Sequence, residues 1–246
     1  MKSGRKTFSG GLAILLSFVI WTVLIQTVDV KPEGIFGTNV GFATVNTWFH
    51  NLTGVHMKIY TITDWLGLVA VFVCMGFGLL GLCQWIKRRS LLKVDFDIQM
   101  LGVFYVIVIL EYLIFEMIPI NYRPIYIEGR MEASYPSSTT LLVLRVMPTL
   151  IFELKRRMKK GLVRKILIFL TASFSLFMVI GRTVAGVHWL TDIVGAILLS
   201  TGSYLIYKAI VLMDHSSDRP DNILLSVSYA LLHQESVFAY TRCAGR

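Results

Sequence analysis

Six long apolar runs divide this chain of 246 residues, and they constrain its fold more than any other feature. A helix needs about 20 mainly apolar residues to cross the hydrocarbon core of a bilayer. In lipid the backbone N–H and C=O groups must bond within their own helix. We therefore predict an all-α fold, a polytopic membrane bundle of six transmembrane helices that forms a single integral membrane domain over residues 1–246. The predicted spans are residues 10–28, 64–86, 98–120, 138–154, 163–181 and 188–212.

The positive charges alternate between the two sides of these spans. A net charge of +9 would suit a nucleic-acid partner, but the charges cluster in short loops between apolar runs, so no nucleic-acid partner is expected. The loops on one side contain most of the Lys and Arg residues, which marks that side as cytoplasmic. We expect an integral plasma or inner membrane protein with both termini in the cytoplasm. The opposite, extracytoplasmic side contains only Lys31, Lys58, Arg123, Arg130 and Arg182.

Three segments outside the main spans also give predictions. The N-terminus has a basic head and a long apolar core without a clear cleavage site, which indicates a retained first span rather than a signal peptide. Residues 29–62 form the longest outer loop, and apolar residues at helical spacing within it predict a helix along the membrane surface. Residues 213–246 form a cytoplasmic tail that is apolar enough for a short surface helix.

The stretch GRTVAGVHWLTD, residues 181–192, places Arg182, His188 and Asp192 between apolar runs. On a helix, His188 and Asp192 would share a face, so that Asp192 accepts the Nδ1–H of the imidazole and Nε2 remains available as a nucleophile or base. The planar guanidinium of Arg182 suits a phosphate. On spacing alone, a polar turn that caps the last span explains these residues equally well.

A second polar cluster on the same outer side favours the functional interpretation. The stretch NYRPIYIEGRMEASYPSSTT, residues 121–140, contains Arg123-Pro124 and, at the start of the fourth span, Pro136-Ser137-Ser138-Thr139. The free N–H groups of a helix N-terminus and the hydroxyls beside them bind anions. The two stretches together therefore predict a phosphate site.

These residues resemble the motifs of the type 2 phosphatidic acid phosphatase family, the lipid phosphate phosphatases related to vanadium haloperoxidases. The family motifs are KxxxxxxRP, PSGH and SRxxxxxHxxxD. The third motif is matched from Arg182 through His188 to Asp192, with Gly181 in place of its serine. The second is half matched at residues 136–139, and the first retains Arg123-Pro124. The resemblance covers about residues 60–212 and implies a core like that of the phosphatases and haloperoxidases.

The resemblance also implies a mechanism. His188 would attack phosphorus and form a phosphohistidine, and Asp192 would orient it. The phosphoryl oxygens would be held by Arg123, Arg182 and the Ser137–Thr139 turn. Neither a metal nor another cofactor is expected, and the substrate would be a lipid phosphate or diphosphate in the bilayer.

Two departures from the family motifs affect the expected activity. Thr139 replaces the histidine that protonates the leaving group, and Glu116 replaces the lysine of the first motif. Arg130 is a possible substitute for that lysine, although a loop salt bridge with a neighbouring glutamate is an equal alternative. A lipid diphosphate, of which an isoprenoid diphosphate is the favoured example, releases a leaving group that needs no proton. The alternative is a non-hydrolytic protein that binds, transports or scaffolds a lipid phosphate.

An ion pair inside the membrane is a further prediction. Counted from the outer ends of their spans, Glu111 and Arg145 both lie roughly 12–14 Å deep at ~1.5 Å per residue. Ionisable groups at such depth face the protein and pair. We predict that Glu111 and Arg145 contact each other, and that the shallower Glu116 lies near Arg123, Arg130 or Arg182.

Overall fold

The computed structural model describes residues 2–127 and 129–214, and this part of the chain is built from helices without a named strand. Single 3₁₀ turns at Ile35–Gly37 and Leu91–Lys93 separate some of the helices. The α-helices are α1 (Lys2–Thr27), α2 (Ala43–Thr53), α3 (Met57–Arg88), α4 (Phe96–Met117), α5 (Ser138–Arg157), α6 (Leu162–Val184) and α7 (Leu190–Asp214).

The all-α membrane fold is confirmed, and each predicted span corresponds to one long helix. Helices α1 and α3 begin several residues before the predicted bounds, because each continues through more polar residues at its N-terminal end. Helix α2 lies within the outer loop where a surface helix was expected. In the described part of the chain, five helices are long and apolar enough to cross a membrane: α1, α3, α4, α6 and α7.

Six long helices occupy the six predicted spans, but only five of them have both the length and the composition of a membrane span in the described part of the chain. Helix α5 is the exception. Its 20 residues include Arg145, Glu153 and a basic last turn. It packs against α3, α4, α6 and α7 and contributes to both of the larger hydrophobic clusters. Arg145 and Glu153 are both buried. Because its neighbours are protein rather than lipid, α5 accommodates polar groups that a lipid-facing helix excludes.

Small residues bring α1 against α7, the most extensive helix pairing in the molecule. A Cβ atom on Gly202 of α7 would lie 2.8 Å from the side chain of Leu15, and one on Gly11 would lie 3.0 Å from the carbonyl oxygen of Gly202. Only glycine permits this approach of the two backbones, as is common between membrane helices.

The predicted polar stretches meet at one end of the bundle. Helices α4 and α6 end there, and α5 and α7 begin there. The α4–α5 connection, residues 118–137, folds back on itself with an antiparallel bridge between Tyr122 and Ala133. Gly4, near the start of α1, lies against Met213, at the end of α7, at the opposite end of the bundle, where the predicted inner loops also lie. From residue 215 onward, the tail with its predicted surface helix lies outside the described residues.

Candidate active site

His188 lies in the connection between α6 and α7 and is only 4% exposed. Its Nδ1 atom is 3.1 Å from the carbonyl oxygen of Ser134 and 3.0 Å from the hydroxyl oxygen of the same residue. Because a carbonyl oxygen can only accept, Nδ1 carries the hydrogen. The other ring nitrogen, Nε2, is therefore unprotonated, and its lone pair accepts a hydrogen bond of 3.3 Å from Nη2 of Arg182. This tautomer makes Nε2 the potential nucleophile.

Asp192 reaches the imidazole through a serine rather than directly. Its Oδ2 atom accepts hydrogen bonds from the hydroxyl of Ser134 at 2.5 Å and from the backbone N–H of Trp189 at 3.0 Å. Its Oδ1 atom accepts one from Asn121 at 3.2 Å. The expected direct bond to His188 is replaced because α7 begins only at Leu190. His188 precedes the helix, so the rule that residues four apart share a helical face does not apply to this pair.

Two arginines, Arg123 and Arg182, both contact the ring of Tyr60. Their guanidinium carbons lie 5.8 and 4.9 Å from the ring centroid, within the range of cation–π contacts. Both side chains are almost fully buried. The Nε and Nη1 groups of Arg123 and the Nε group of Arg182 lack a hydrogen-bond partner among the described residues. A buried N–H without a partner is costly, so this cluster of donors suits an anion such as phosphate.

Each of these arginines is held by one carboxylate. Arg123 forms an ion pair of 3.2 Å with Glu132, across the folded α4–α5 connection. Arg182 lies 3.5 Å from Asp64 of α3. Asp64 and Glu132 are both partly exposed, unlike the arginines. The carboxylates therefore position the guanidinium groups at the edge of the site and leave other N–H groups free.

The residues of the predicted serine and threonine turn divide among three environments. The hydroxyl of Ser137 donates to that of Thr140 at 3.0 Å, so it is turned inward. Ser138 lines a polar cavity of about 140 Å³ together with Arg123, Glu116 and Glu132. Thr139 instead lines a groove against α3. Because α5 begins at Ser138, its first backbone N–H groups lack partners within the helix and add to the donors of this region.

Glu116 and Arg130, the two residues predicted to assist the phosphate site, lie in different environments. Glu116 lines the polar cavity and forms no ion pair with the described residues. Arg130 is exposed, and its side chain forms no ion pair or hydrogen bond within the described part of the chain. The geometry thus gives no support to Arg130 as a substitute for the missing lysine, and the glutamate at 132 pairs with Arg123 instead.

A second, more apolar groove adjoins the polar cavity. It has a volume of about 370 Å³ and lies between α3, α4 and α5. Tyr112, Ser138 and Leu141 line both the groove and the cavity. Most of the other residues along it are apolar, among them Leu68, Val71, Val108, Ile109 and Leu142. The polar cavity beside Arg123 therefore adjoins an apolar path between α3, α4 and α5.

The surface helix α2 supports the start of α7. Asn46 donates to the hydroxyl of Thr191 at 2.9 Å and accepts from its backbone N–H at 3.3 Å. His50 packs against the ring of Trp189, with their centroids 5.6 Å apart. These contacts hold the residues that directly follow His188.

Sequence reasoning did not identify several residues of this site. Ser134 and Asn121 lie within the polar stretch that was singled out, but nothing in their spacing indicates a bond to Asp192. Tyr60 and Asp64 lie four residues apart near the N-terminal end of α3, and a polar pair at the edge of an apolar run is the signal that marks them.

Comparison with known proteins relates one part of the chain to a known family. Residues 111–215 match the model of the PAP2 superfamily. The match covers less than half of the chain. The matched range includes both polar stretches and therefore both arginines, His188 and Asp192.

The fold of the chain also resembles a solved structure. It is similar to a crystal structure described as the first transmembrane PAP2 type phosphatidylglycerolphosphate phosphatase from Bacillus subtilis, with a TM-score of 0.58 and 16% sequence identity. The similarity covers 82% of this chain and 96% of that one. At this identity the likeness concerns the fold. A comparison with curated proteins finds no match.

The charge state of His188 gives a prediction about pH. Burial, together with the positive charges of Arg123 and Arg182, holds the pKa of His188 well below its usual value near 6.5, against the opposing effect of the Ser134 carbonyl. The imidazole is therefore neutral at pH 6.5, and catalysis by neutral His188 should persist at and below this pH. Replacing Arg123 by Gln removes one charge that opposes protonation, so we expect the acid limb of kcat/KM to move to higher pH.

Comparing the pH profiles of the Arg123→Gln variant and the unmodified protein separates the titration of His188 from that of the substrate. The substrate phosphate also titrates near pH 6, but it does so identically with both proteins. Lys58→Gln is the control, because Lys58 is an exposed cation at the same end of the molecule. Acid limbs that coincide for the Arg123→Gln variant and the unmodified protein would contradict the prediction.

Proposed function

We propose that this protein is a membrane phosphatase of the PAP2 superfamily that hydrolyses a lipid phosphate or diphosphate through a phosphohistidine at His188. One observation carries the proposal: the unprotonated Nε2 of His188 faces Arg182, beside buried arginine N–H groups that lack hydrogen-bond partners. A nucleophile and an anion-binding site are thus adjacent. The name of the similar Bacillus subtilis protein, a phosphatidylglycerolphosphate phosphatase, supports a lipid phosphate as the substrate class.

The proposed reaction has two steps. The Nε2 lone pair attacks phosphorus, a P–N bond forms, and the P–O bond to the leaving group breaks with its electron pair on oxygen. Arg123 and Arg182 stabilise the charge on the phosphoryl oxygens. Water then attacks the phosphohistidine, the P–N bond breaks, and inorganic phosphate departs while Nε2 recovers its lone pair. The remaining proton of the water passes to the products.

The apolar groove supports a lipid as the substrate. Its lining lies between α3, α4 and α5 and joins the polar cavity at Ser138. A lipid with its phosphate at the arginines would extend its tail along the groove into the bilayer without leaving the hydrocarbon phase. We therefore place substrate entry at the groove between α3 and α4.

Thr139 favours a diphosphate, for which an isoprenoid diphosphate is the example. A threonine hydroxyl cannot act as a general acid near neutral pH. The leaving group of a lipid diphosphate is a phosphate monoester, whose second pKa lies near 6, and it departs without a proton. An alkoxide leaving group needs that proton. A diphosphate therefore suits a site that lacks the histidine of the second motif.

Substrate preference tests this proposal. With the purified protein, phosphate release from a lipid diphosphate should exceed release from the monophosphate of the same lipid. The Thr139→His variant should raise the monophosphate rate more than the diphosphate rate, within the roughly 10²- to 10⁴-fold that general acid–base catalysis contributes. Thr139→Gln is the matched control, since glutamine is of similar size but has no titratable proton. A native preference for monophosphates would show that another group supplies the proton.

A non-hydrolytic lipid-phosphate binder is the second candidate function. The substitution of Thr139 for the acid favours it, as does the pairing of both arginines with carboxylates. Binding of a lipid diphosphate without phosphate release, in a protein with an intact site, would establish this alternative and exclude the phosphatase.

We also propose that the site faces the extracytoplasmic side, because the loops at the opposite end of the bundle contain most of the Lys and Arg residues. In a background without Cys74, Cys83 and Cys243, a membrane-impermeant thiol reagent should label Met131→Cys in intact cells. Lys160→Cys should be labelled only after permeabilisation. Both positions are exposed, so burial does not limit labelling. The reverse pattern would place the site in the cytoplasm.

A further inference from the structure

Ser134 lies between the carboxylate and the proposed nucleophile, and the mechanism above does not use it. The residue is 1% exposed and precedes the turn at Pro136 by two positions. Its hydroxyl oxygen is 2.5 Å from Oδ2 of Asp192 and 3.0 Å from Nδ1 of His188. Asp192 forms no hydrogen bond with His188 itself. The serine is therefore the connection between the two residues of the third motif.

The direction of each hydrogen bond follows from the chemistry of the groups. An ionised carboxylate only accepts, so the Ser134 hydroxyl donates its hydrogen to Asp192. The Ser134 carbonyl only accepts, so Nδ1–H of His188 donates to it. A lone pair of the hydroxyl oxygen remains, and it faces the same Nδ1–H. Two oxygen atoms of one residue thus hold the imidazole, and one of them is polarised by a buried negative charge.

The protein fixes Ser134 from both sides. Its backbone N–H donates to the carbonyl of Asn121 at 2.8 Å. The next residue, Tyr135, bonds to the hydroxyl of Thr22 at 2.7 Å and packs its ring over Gly195, where a Cβ atom would lie 2.4 Å from the ring. The carbonyl and hydroxyl of Ser134 therefore have defined positions before substrate binds, which is what a supporting residue of an active site requires.

We infer that Ser134 is a positioning residue that couples Asp192 to His188, an inference that rests on the proposed phosphatase function. When Nε2 bonds to phosphorus, the imidazole becomes positively charged while Nδ1 retains its hydrogen. The Ser134 hydroxyl transmits the negative charge of Asp192 to that hydrogen and stabilises the cation. In this chain the carboxylate acts on the nucleophile through the serine, so the effect of Asp192 depends on Ser134.

A double-mutant cycle in the full-length protein tests the coupling. Ser134→Ala should lower kcat by about 10- to 100-fold, as loss of comparable supporting hydrogen bonds does, with KM little changed. Ser134→Thr retains the hydroxyl and should retain most of the activity. The Ser134→Ala, Asp192→Asn double variant should be no slower than Asp192→Asn alone. Ser200→Ala, another buried serine that bonds to a backbone carbonyl, is the control and should be as active as the unmodified protein. Losses that multiply in the double variant would overturn the inference.

NMR of protein labelled with ¹⁵N-histidine measures the same coupling without turnover. Asp192→Asn should shift the Nδ1 resonance of His188 when Ser134 is present and leave it unchanged in the Ser134→Ala background. The resonance is assigned by its absence from the His188→Gln variant. A shift that persists without Ser134 would overturn the inference. Absence of phosphate release from the unmodified protein would instead refute the proposed function, and the NMR result would still decide the role of Ser134.

Discussion

Replacing His188 by alanine should abolish phosphate release, with a loss of at least about 10³-fold, since the nucleophile cannot be replaced by another side chain in the site. The nearest groups to its Nε2 are arginine N–H donors, which bind phosphate but do not attack it. Binding of the substrate should be retained, because Arg123 and Arg182 remain. The measurement is phosphate release under single-turnover conditions, together with binding of a labelled lipid diphosphate.

His56→Ala is the matched control for this variant. His56 lies at the same end of the molecule, but it is exposed, and its ring bonds only to the carbonyl of Thr53. Its substitution should leave turnover unchanged. Phosphate release at the unmodified rate by the His188→Ala protein would rule out a phosphohistidine mechanism at this position.

The fold was largely predictable because, in a bilayer, the position of each membrane-spanning helix depends mainly on the composition of its own segment. Each span requires a run of apolar residues of nearly fixed length, so its position follows from that segment alone. The exception is α5, whose composition depends on its neighbours. Arg145 and Glu153 are tolerated there because α5 is surrounded by other helices, and no local rule reveals which span takes the central position.

The proximity of the proposed site residues was predictable, but the hydrogen bonds that connect them were not. The resemblance to the phosphatase motifs brought Arg123, Arg182, His188 and Asp192 together, and the structure places these residues at the same end of the bundle. The link through Ser134 depends on how the α4–α5 connection closes against the start of α7. That closure involves residues more than 50 positions apart in the chain, and helical spacing gives no information about it.

Depth in the membrane predicted one ion pair correctly, whereas helical spacing did not predict how Asp192 is linked to His188. The match in depth between Glu111 on α4 and Arg145 on α5, counted from the helix ends near the site, predicted an ion pair, and the structure confirms it. The prediction for the shallower Glu116 was less complete, since it lines the cavity beside Arg123 without forming an ion pair within the described residues. Depth identifies the partner of an ionisable residue when each of the two helices has one charged group at that depth. Near the membrane surface, several charged groups lie at similar depth and compete.

Replacing Arg145 by methionine alone should destabilise the protein by about 3–5 kcal/mol, the usual effect of removing one partner of a buried ion pair. The Arg145 side chain is fully buried, pairs with Glu111, donates to the hydroxyl of Ser203 at 3.1 Å and lies over the ring of Phe104. Methionine restores most of the volume but leaves Glu111 with an unpaired charge inside the bundle. The thermal unfolding midpoint of the purified protein in detergent measures the loss.

The double variant Glu111→Gln, Arg145→Met separates the cost of the unpaired charge from the loss of packing. Once Glu111 is neutral, no ionised group remains without a partner, so part of the lost stability should return. Arg5→Met is the control, because Arg5 is exposed near the start of α1 and its substitution should change the midpoint little. If the losses of the two single variants simply add in the double variant, the pair does not couple α4 to α5. Recovery would show that the charge of Glu111 is tolerated beneath the site only because Arg145 balances it.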